Sequence, residues 1–131
     1  FQKMQEADLA GMRVLVVDDN KMNIIIASRF LNKWNVTINE ANNGMVAIQM
    51  VKNNFYDLVI MDLQMPVMDC FEATKIRKES YPELPVIALT ADAMPETYAK
   101  ARNYGMNDYL TKPFMPEILF EKVSKYYKAL I

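Results

Sequence analysis

The chain of 131 residues contains no histidine. That absence removes imidazole general-base chemistry, Ser-His nucleophiles and His-ligated metal sites together. Any resident metal must be held by oxygen, which favours magnesium, calcium or manganese. There is a single cysteine, Cys70, so no internal disulfide can form and a reducing compartment is expected. The three glycines stand apart at 11, 44 and 105. No G-x-G-x-x-G follows the first apolar run and there is no P-loop, which argues against a dinucleotide site. Charge of one sign is also missing: fifteen basic and sixteen acidic residues leave a net charge of -1. A nucleic-acid or membrane surface needs a clustered basic excess, so neither partner is expected. No apolar run approaches the ~20 residues of a membrane span, and no signal-peptide pattern is present.

What is there reads as one domain, residues 12–131 after a leader or linker on 1–11. The start at Phe1 suits a piece of something longer. "MRVLVVDD" is an apolar run ending in two aspartates, a buried-strand signature. Asn20 is placed to cap a helix from Lys21 to Trp34, whose inward stripe is read as Ile26, Ala27, Phe30, Leu31 and Trp34. Further strands are "VTINEA", "YDLVIM", Pro85 to Thr90, and "DYL". Helices are expected after the Asn43-Gly44 turn, over residues 68–80, from Pro95 to a stop at Gly105, and over 115–130. Strand and helix alternate five times, and the strands are mostly apolar. That pattern calls for a doubly wound parallel sheet with helices on both faces.

A parallel sheet gathers the carboxyl ends of its strands on one edge, where ligands bind. Asp18 and Asp19 close the first strand, Asp62 the third and Thr90 the fourth, and Lys112 follows the fifth. Three carboxylates sum to -3, Lys112 returns +1, and a divalent cation brings the total to zero. Without such an ion, carboxylates this close raise one another's pKa values. Magnesium (or manganese) suits a site with waters and a phosphate in its shell. A polar residue at one strand end is commonplace; five in register at the ligand edge are not.

At these residues the sequence resembles the response-regulator receiver domain of two-component signalling. The matching motifs are "LVVDDN" (Leu15 to Asn20), "DLVIMDLQMPVMD" (Asp57 to Asp69), "IALTA" (Ile87 to Ala91) and "YLTKPF" (Tyr109 to Phe114). The resemblance implies a flavodoxin-like sheet of order 2-1-3-4-5. It implies that Asp62 is the phosphoacceptor and that Asp19 and Asp62 ligate magnesium directly. Asp18 would act mainly through water, and Gln64 would offer its backbone carbonyl. Lys112 and Thr90 would hold phosphoryl oxygens, and Tyr109 would be an aromatic switch. The Lys112-Pro113 bond would be cis. Phosphoryl transfer has a loose, in-line transition state, so positioning and charge neutralisation supply most of the catalysis. The domain would thus promote its own phosphorylation and dephosphorylation without being an enzyme of the usual kind.

With no histidine in the chain, the donor must be a separate histidine kinase or histidine phosphotransfer domain. Phosphorylation adds charge and acceptor oxygens at one pocket, biasing a surface made of the fourth helix, fifth strand and fifth helix. That surface also admits a homodimer; Tyr98, Met94 and Met106 belong either to it or to the core. The resemblance points to a cytoplasmic domain, free or tethered to a membrane-bound hybrid histidine kinase. On the first helix, Ile25 lies about 170° and Ile24 about 90° from the centre of the stripe. Ile25 is therefore expected to be exposed and Ile24 flanking, and the two are the candidate docking contact for a partner helix.

Several features stand apart from this reading. Cys70 occupies a place where the family usually has glycine, and reads as a small core residue. Gln64 and Asp92 sit two places beyond Asp62 and Thr90, where the family tunes water access. Lys122, Lys125 and Lys128 share a helix face, which reads as solvated. An aspartyl-phosphate phosphatase is the competing enzyme, but Gln64 stands where its second acid would be. A receiver-like scaffold that is never phosphorylated is the other alternative.

Overall fold

The structure, a computed structural model, describes residues 9–63, 83–91, 94–103, 105–112 and 115–126. The expectations for Gln64, Cys70, the helix on 68–80, Asp92, the Lys112-Pro113 bond and Lys128 lie outside the described residues. Five strands are present: β1 (Arg13–Val17), β2 (Thr37–Ala41), β3 (Leu58–Asp62), β4 (Val86–Thr90) and β5 (Asp108–Thr111). Among the described residues the helices are α1 (Lys21–Lys33), α2 (Gly44–Asn53), α3 (Pro95–Asn103) and α4 (Pro116–Ser124). The last two are the fourth and fifth helices of the sequence reading. All strand pairs are parallel, in the order β2-β1-β3-β4-β5. This is the flavodoxin-like doubly wound sheet.

The layers follow from strand alternation, because successive side chains point to opposite faces. Val14, Val16, Leu58, Ile60, Ile87 and Leu89 face one way, where Ala27 and Leu31 of α1 and its C-cap Trp34 meet Leu119 and Val123 of α4. Trp34 and Phe120 close that layer edge to face, with centroids 5.0 Å apart. Leu15, Val17, Val59, Met61, Val86 and Ala88 face the other way, onto Ala47 of α2 and Ala101 of α3. β3 and β4 are buried throughout. β2 is one edge strand of the sheet, and its Thr37 and Glu40 stay exposed. Leu9 is buried in the α1/α4 layer, and its N–H donates to the Trp34 carbonyl at 2.7 Å.

Local chemistry sets the helix ends. The Asn20 side-chain oxygen accepts from the Met22 N–H at 2.9 Å, and that of Asn43 accepts from the Val46 N–H at 2.8 Å. Both satisfy amide donors that a helix start leaves free. At the far end of α1 the chain turns through Asn35, in the left-handed region at φ 63. The Asn35 N–H then reaches the Asn32 carbonyl and the Val36 N–H the Leu31 carbonyl. This closure needs a left-handed residue, a conformation asparagine tolerates better than most.

The inward face of α1 differs from the sequence expectation. Ile24 is buried at 4%, together with Ala27, Leu31 and Trp34, whereas Ile26 is 41% exposed. The buried positions follow i, i+3, i+7, i+10, and Ile26 lies on the opposite side of that stripe. Ile24 is therefore a core residue and not a docking contact. Ile25, 37% exposed, does face outward with Met22 and Ile26.

Candidate functional site

The register of the strands places the site. Val17 pairs with Met61, Asp62 with Leu89 and Thr90 with Thr111, so the carboxyl ends finish nearly level. Backbone bonds extend the sheet just past the strands. The Asp18 N–H donates to the Ala41 carbonyl at 3.0 Å, and the Lys112 N–H to the Thr90 carbonyl at 2.7 Å. Side chains at these positions ride on rigid elements, which is what a precise site requires.

Oxygens of Asp18, Asp19 and Asp62 lie within 4.8 Å of one another. Asp18 and Asp62 are buried and Asp19 is exposed, so the cluster opens to solvent through Asp19. The Lys112 ammonium stands 3.1 Å from Asp62 and 3.6 Å from Asp18. Thr90 is buried at the adjacent strand end. All five residues anticipated at the ligand edge are thus accounted for there, with the three acids and Lys112 in direct proximity. Beside Asp18 and Asp19 a cavity of about 430 Å³ runs past Lys21 to Glu40 and Asn42. A larger one, about 760 Å³, lies at the opposite edge of the sheet, around Phe55, Asp57 and Pro85. It contains none of the three clustered acids.

Negative charge is in excess at this site. The Asp18 carboxyl is pushed above the usual carboxylate range, first by burial and further by the charge of Asp62. The Asn20 N–H, bonded to its Oδ1 at 2.9 Å, and the charge of Lys112 oppose this without cancelling it. Its Oδ2 is buried without a hydrogen-bond donor. One lysine cannot neutralise three acids: Asp18 Oδ2 has the Lys112 ammonium at 3.6 Å but no hydrogen bond, and a buried carboxylate oxygen so served is costly. The donor set is all oxygen and strongly anionic, the chemistry that a hard divalent cation fits.

Other expected residues are found nearby. Tyr109 is half-buried on β5, against the α2/α3 layer. It meets Tyr98 of α3 edge to face at 4.2 Å between centroids. Met106 is buried core, whereas Met94 is exposed. Lys122 is not simply solvated: it bonds Asp108 at 2.7 Å, and Lys125 lies 3.7 Å from the same carboxylate.

The model of the response regulator receiver domain matches residues 14–124. The chain belongs to the response-regulator receiver family. Receiver relatives agree over most of this chain. It is 36% identical to the transcription factor SKN7 of Saccharomyces cerevisiae over 121 residues, 92% of this chain and 20% of SKN7. It is 38% identical to the peroxide stress-activated histidine kinase mak1 of Schizosaccharomyces pombe over 112 residues, 79% of this chain and 7% of mak1. The chain therefore spans a small part of the curated relatives it matches. Among solved structures, the chemotaxis protein CheY4 of Vibrio cholerae superposes with a TM-score of 0.81 at 31% identity. That likeness covers 89% of this chain and 99% of CheY4. The receiver domain of Ssk1 from Saccharomyces cerevisiae, solved with the histidine phosphotransfer protein Ypd1, gives 0.81 at 34% identity, covering 92% of both chains. This chain is a receiver domain of two-component signalling. No helix among the described residues is long and apolar enough to cross a membrane.

The outward patch on α1 was not anticipated: Met22 went unremarked and Ile26 was placed inward. Met22, 60% exposed, and Ile26 lie one helical turn apart on α1 and join Ile25 in an outward apolar patch at the acid-pocket end of the helix. The i, i+4 spacing of Met22 and Ile26 was the signal available.

Proposed function

We propose that this domain accepts a phosphoryl group on Asp62 from a partner phosphohistidine. The observation that carries the proposal is the convergence of Asp18, Asp19 and Asp62 on one point, with Lys112 beside the acceptor. A carboxylate oxygen of Asp62 attacks phosphorus as the donor's N–P bond breaks; the imidazole leaves with that electron pair and the acyl phosphate forms. Lys112, already at 3.1 Å, turns from the carboxylate to a phosphoryl oxygen. The Thr90 hydroxyl donates to another. A divalent cation, magnesium or manganese, would be held by Asp19 and Asp62, by Asp18 through water, and by the Gln64 backbone carbonyl. When bound, it would neutralise charge on the transferring group. The domain's part in its own phosphorylation and dephosphorylation is to position and neutralise; the phosphorus comes from elsewhere.

The donor is a histidine kinase or a histidine phosphotransfer domain. Ssk1 supports this choice, since its receiver was solved bound to a phosphotransfer protein. The outward patch of Met22, Ile25 and Ile26 supplies an apolar anchor near the pocket, a form of helix-in-groove recognition. The accumulated acyl phosphate then shifts Tyr109 and with it the α3-β5-α4 face, which is also the surface available for a homodimer. We place the domain in the cytoplasm, alone or as part of a hybrid histidine kinase.

Transfer from a phosphorylated histidine phosphotransfer protein tests the proposal. Ile25→Asp and Ile26→Asp should each slow that transfer about tenfold, through loss of apolar contact and a desolvated charge. Labelling by phosphoramidate should stay at the wild-type rate. Full-rate transfer in both variants would remove the docking assignment. Undiminished transfer to Asp62→Asn would remove the acceptor assignment.

A further inference from the structure

Outside the acid pocket, side chains from α3, β5 and α4 form one connected group around Tyr109. Tyr98 meets the Tyr109 ring at 66° between planes. The Lys122 ammonium lies 5.5 Å from the centroid of the same ring. A cation at that range is attracted to the negative ring face. Lys122 cannot drift freely, because its ammonium bonds Asp108 Oδ1 at 2.7 Å. That same oxygen accepts the Tyr109 N–H at 2.8 Å. One carboxylate therefore ties both the backbone of Tyr109 and the cation that its ring faces.

The rest of the group is braced in turn. The Arg102 guanidinium lies 5.2 Å from the Tyr98 ring, one helical turn along α3. Burial would push the Asp108 carboxyl up. The Lys122 hydrogen bond, the Tyr109 N–H and the charges of Lys122 and Lys125 outweigh that and hold it below the usual range. Asp108 is thus ionised at neutral pH and the tether is charged. Lys125, by contrast, is exposed and reaches only the outer oxygen, Oδ2, at 3.7 Å.

We infer that Lys122 is a positioning residue for Tyr109. Its ammonium, tethered by Asp108, and the Tyr98 ring together hold the Tyr109 ring in its present half-buried place against a second place nearer Thr90. The second place rests on the reading of Tyr109 as a switch that moves when Thr90 turns to the phosphoryl group; the holding contact does not. Conformational equilibria and ligand affinity are linked reciprocally. Weakening the hold should therefore make the acid pocket easier to load.

The test uses the whole domain labelled with 3-fluorotyrosine. There are seven tyrosines, so the Tyr109 signal is assigned by its loss in Tyr109→Phe. The H₂O-to-D₂O isotope shift of that signal reports ring exposure and not the nearby charge. In Lys122→Met it should move toward the value of wild type loaded with beryllofluoride and magnesium. Lys122→Arg should keep the wild-type value, and Lys125→Met should leave it unchanged. Half-saturating beryllofluoride should fall about threefold in Lys122→Met, the scale of one exposed cation–ring contact. Lys122→Gln serves in the same role where Lys122→Met does not fold. An isotope shift in the neutral variants equal to wild type overturns the inference, as does an equal change in Lys125→Met. If beryllofluoride leaves the wild-type signal where it was, the switch reading fails. The holding contact is then judged by the difference between Lys122→Met and Lys125→Met alone.

Discussion

Two acid–base clusters sit on this sheet at the two ends of β5, Lys112 following it and Asp108 opening it, and they are balanced in opposite ways. At the carboxyl edge, Asp18 and Asp62 share Lys112, and Asp19 completes the acid cluster. At the start of β5, Asp108 has two, Lys122 and Lys125. The first cluster leaves Asp18 pushed up by burial and by its neighbour. In the second, the lysines and the Tyr109 N–H overcome burial and hold Asp108 down. A satisfied pair stabilises the fold and calls for nothing more. A buried acid cluster on rigid strand ends, with Asp18 pushed up, is the arrangement found at functional sites, and it is what the proposed cation and phosphoryl chemistry would use.

The contrast can be broken or sharpened by substitution. Between the two clusters the largest effect should follow from Lys112→Met, which leaves Asp18 and Asp62 buried without their cation. Urea unfolding without divalent ions should show a loss of about 3 kcal/mol, the range for breaking a buried pair. Lys125→Met at the other cluster should stay within about 0.5 kcal/mol, as exposed pairs do.

A divalent cation should act on one cluster only. With magnesium at ten times its dissociation constant, wild type should gain about 1.4 kcal/mol of stability. Asp62→Asn should lose most of that gain, and Asp108→Asn should keep it. Without magnesium, Asp62→Asn should be more stable than wild type by about 1 kcal/mol, because it removes a buried like charge. Equal stability of the two would show the acids to be better compensated than their geometry implies.

How much of this was legible in the sequence follows from which contacts are local. The acid pocket was legible because a parallel sheet collects strand ends, and the strand ends themselves could be read from apolar runs closing on Asp18, Asp62 and Thr90. The face of α1 was not. Three isoleucines in succession support more than one stripe, and choosing Ile26 over Ile24 rotated the helix toward the wrong side; only packing against Leu58 and Leu119 in the same core decides it. The Asp108–Lys122 pair was hidden for another reason. It joins β5 to α4 across 14 positions, whereas helix spacing shows only that Lys122 and Lys125 share a face. The α1 correction has its own measurement: Ile24→Ala should cost about 2–4 kcal/mol and Ile26→Ala no more than about 0.5 in urea unfolding.

The smallest effect is one of pH. Asp108 has a folded pKa below its unfolded value of 3.8. Its stabilising contribution is therefore complete above the unfolded value and is lost as pH falls through the lower, folded one. The difference in melting temperature between wild type and Asp108→Asn should be flat from neutral pH down to about 5 and shrink below 4. A difference that grows on acidification would reverse the assignment of that cluster as the satisfied one.

The central claim is that the three acids and Lys112 make Asp62 accept a phosphoryl group in a cation-dependent way. Its most direct measurement is phosphoramidate treatment with magnesium, followed by borohydride reduction and mass spectrometry of the peptide carrying residues 58–63. Homoserine at position 62 is expected, at no other aspartate, with none formed after chelation of magnesium or in Asp62→Asn. Modification elsewhere, or an unchanged yield in chelator, would contradict the claim.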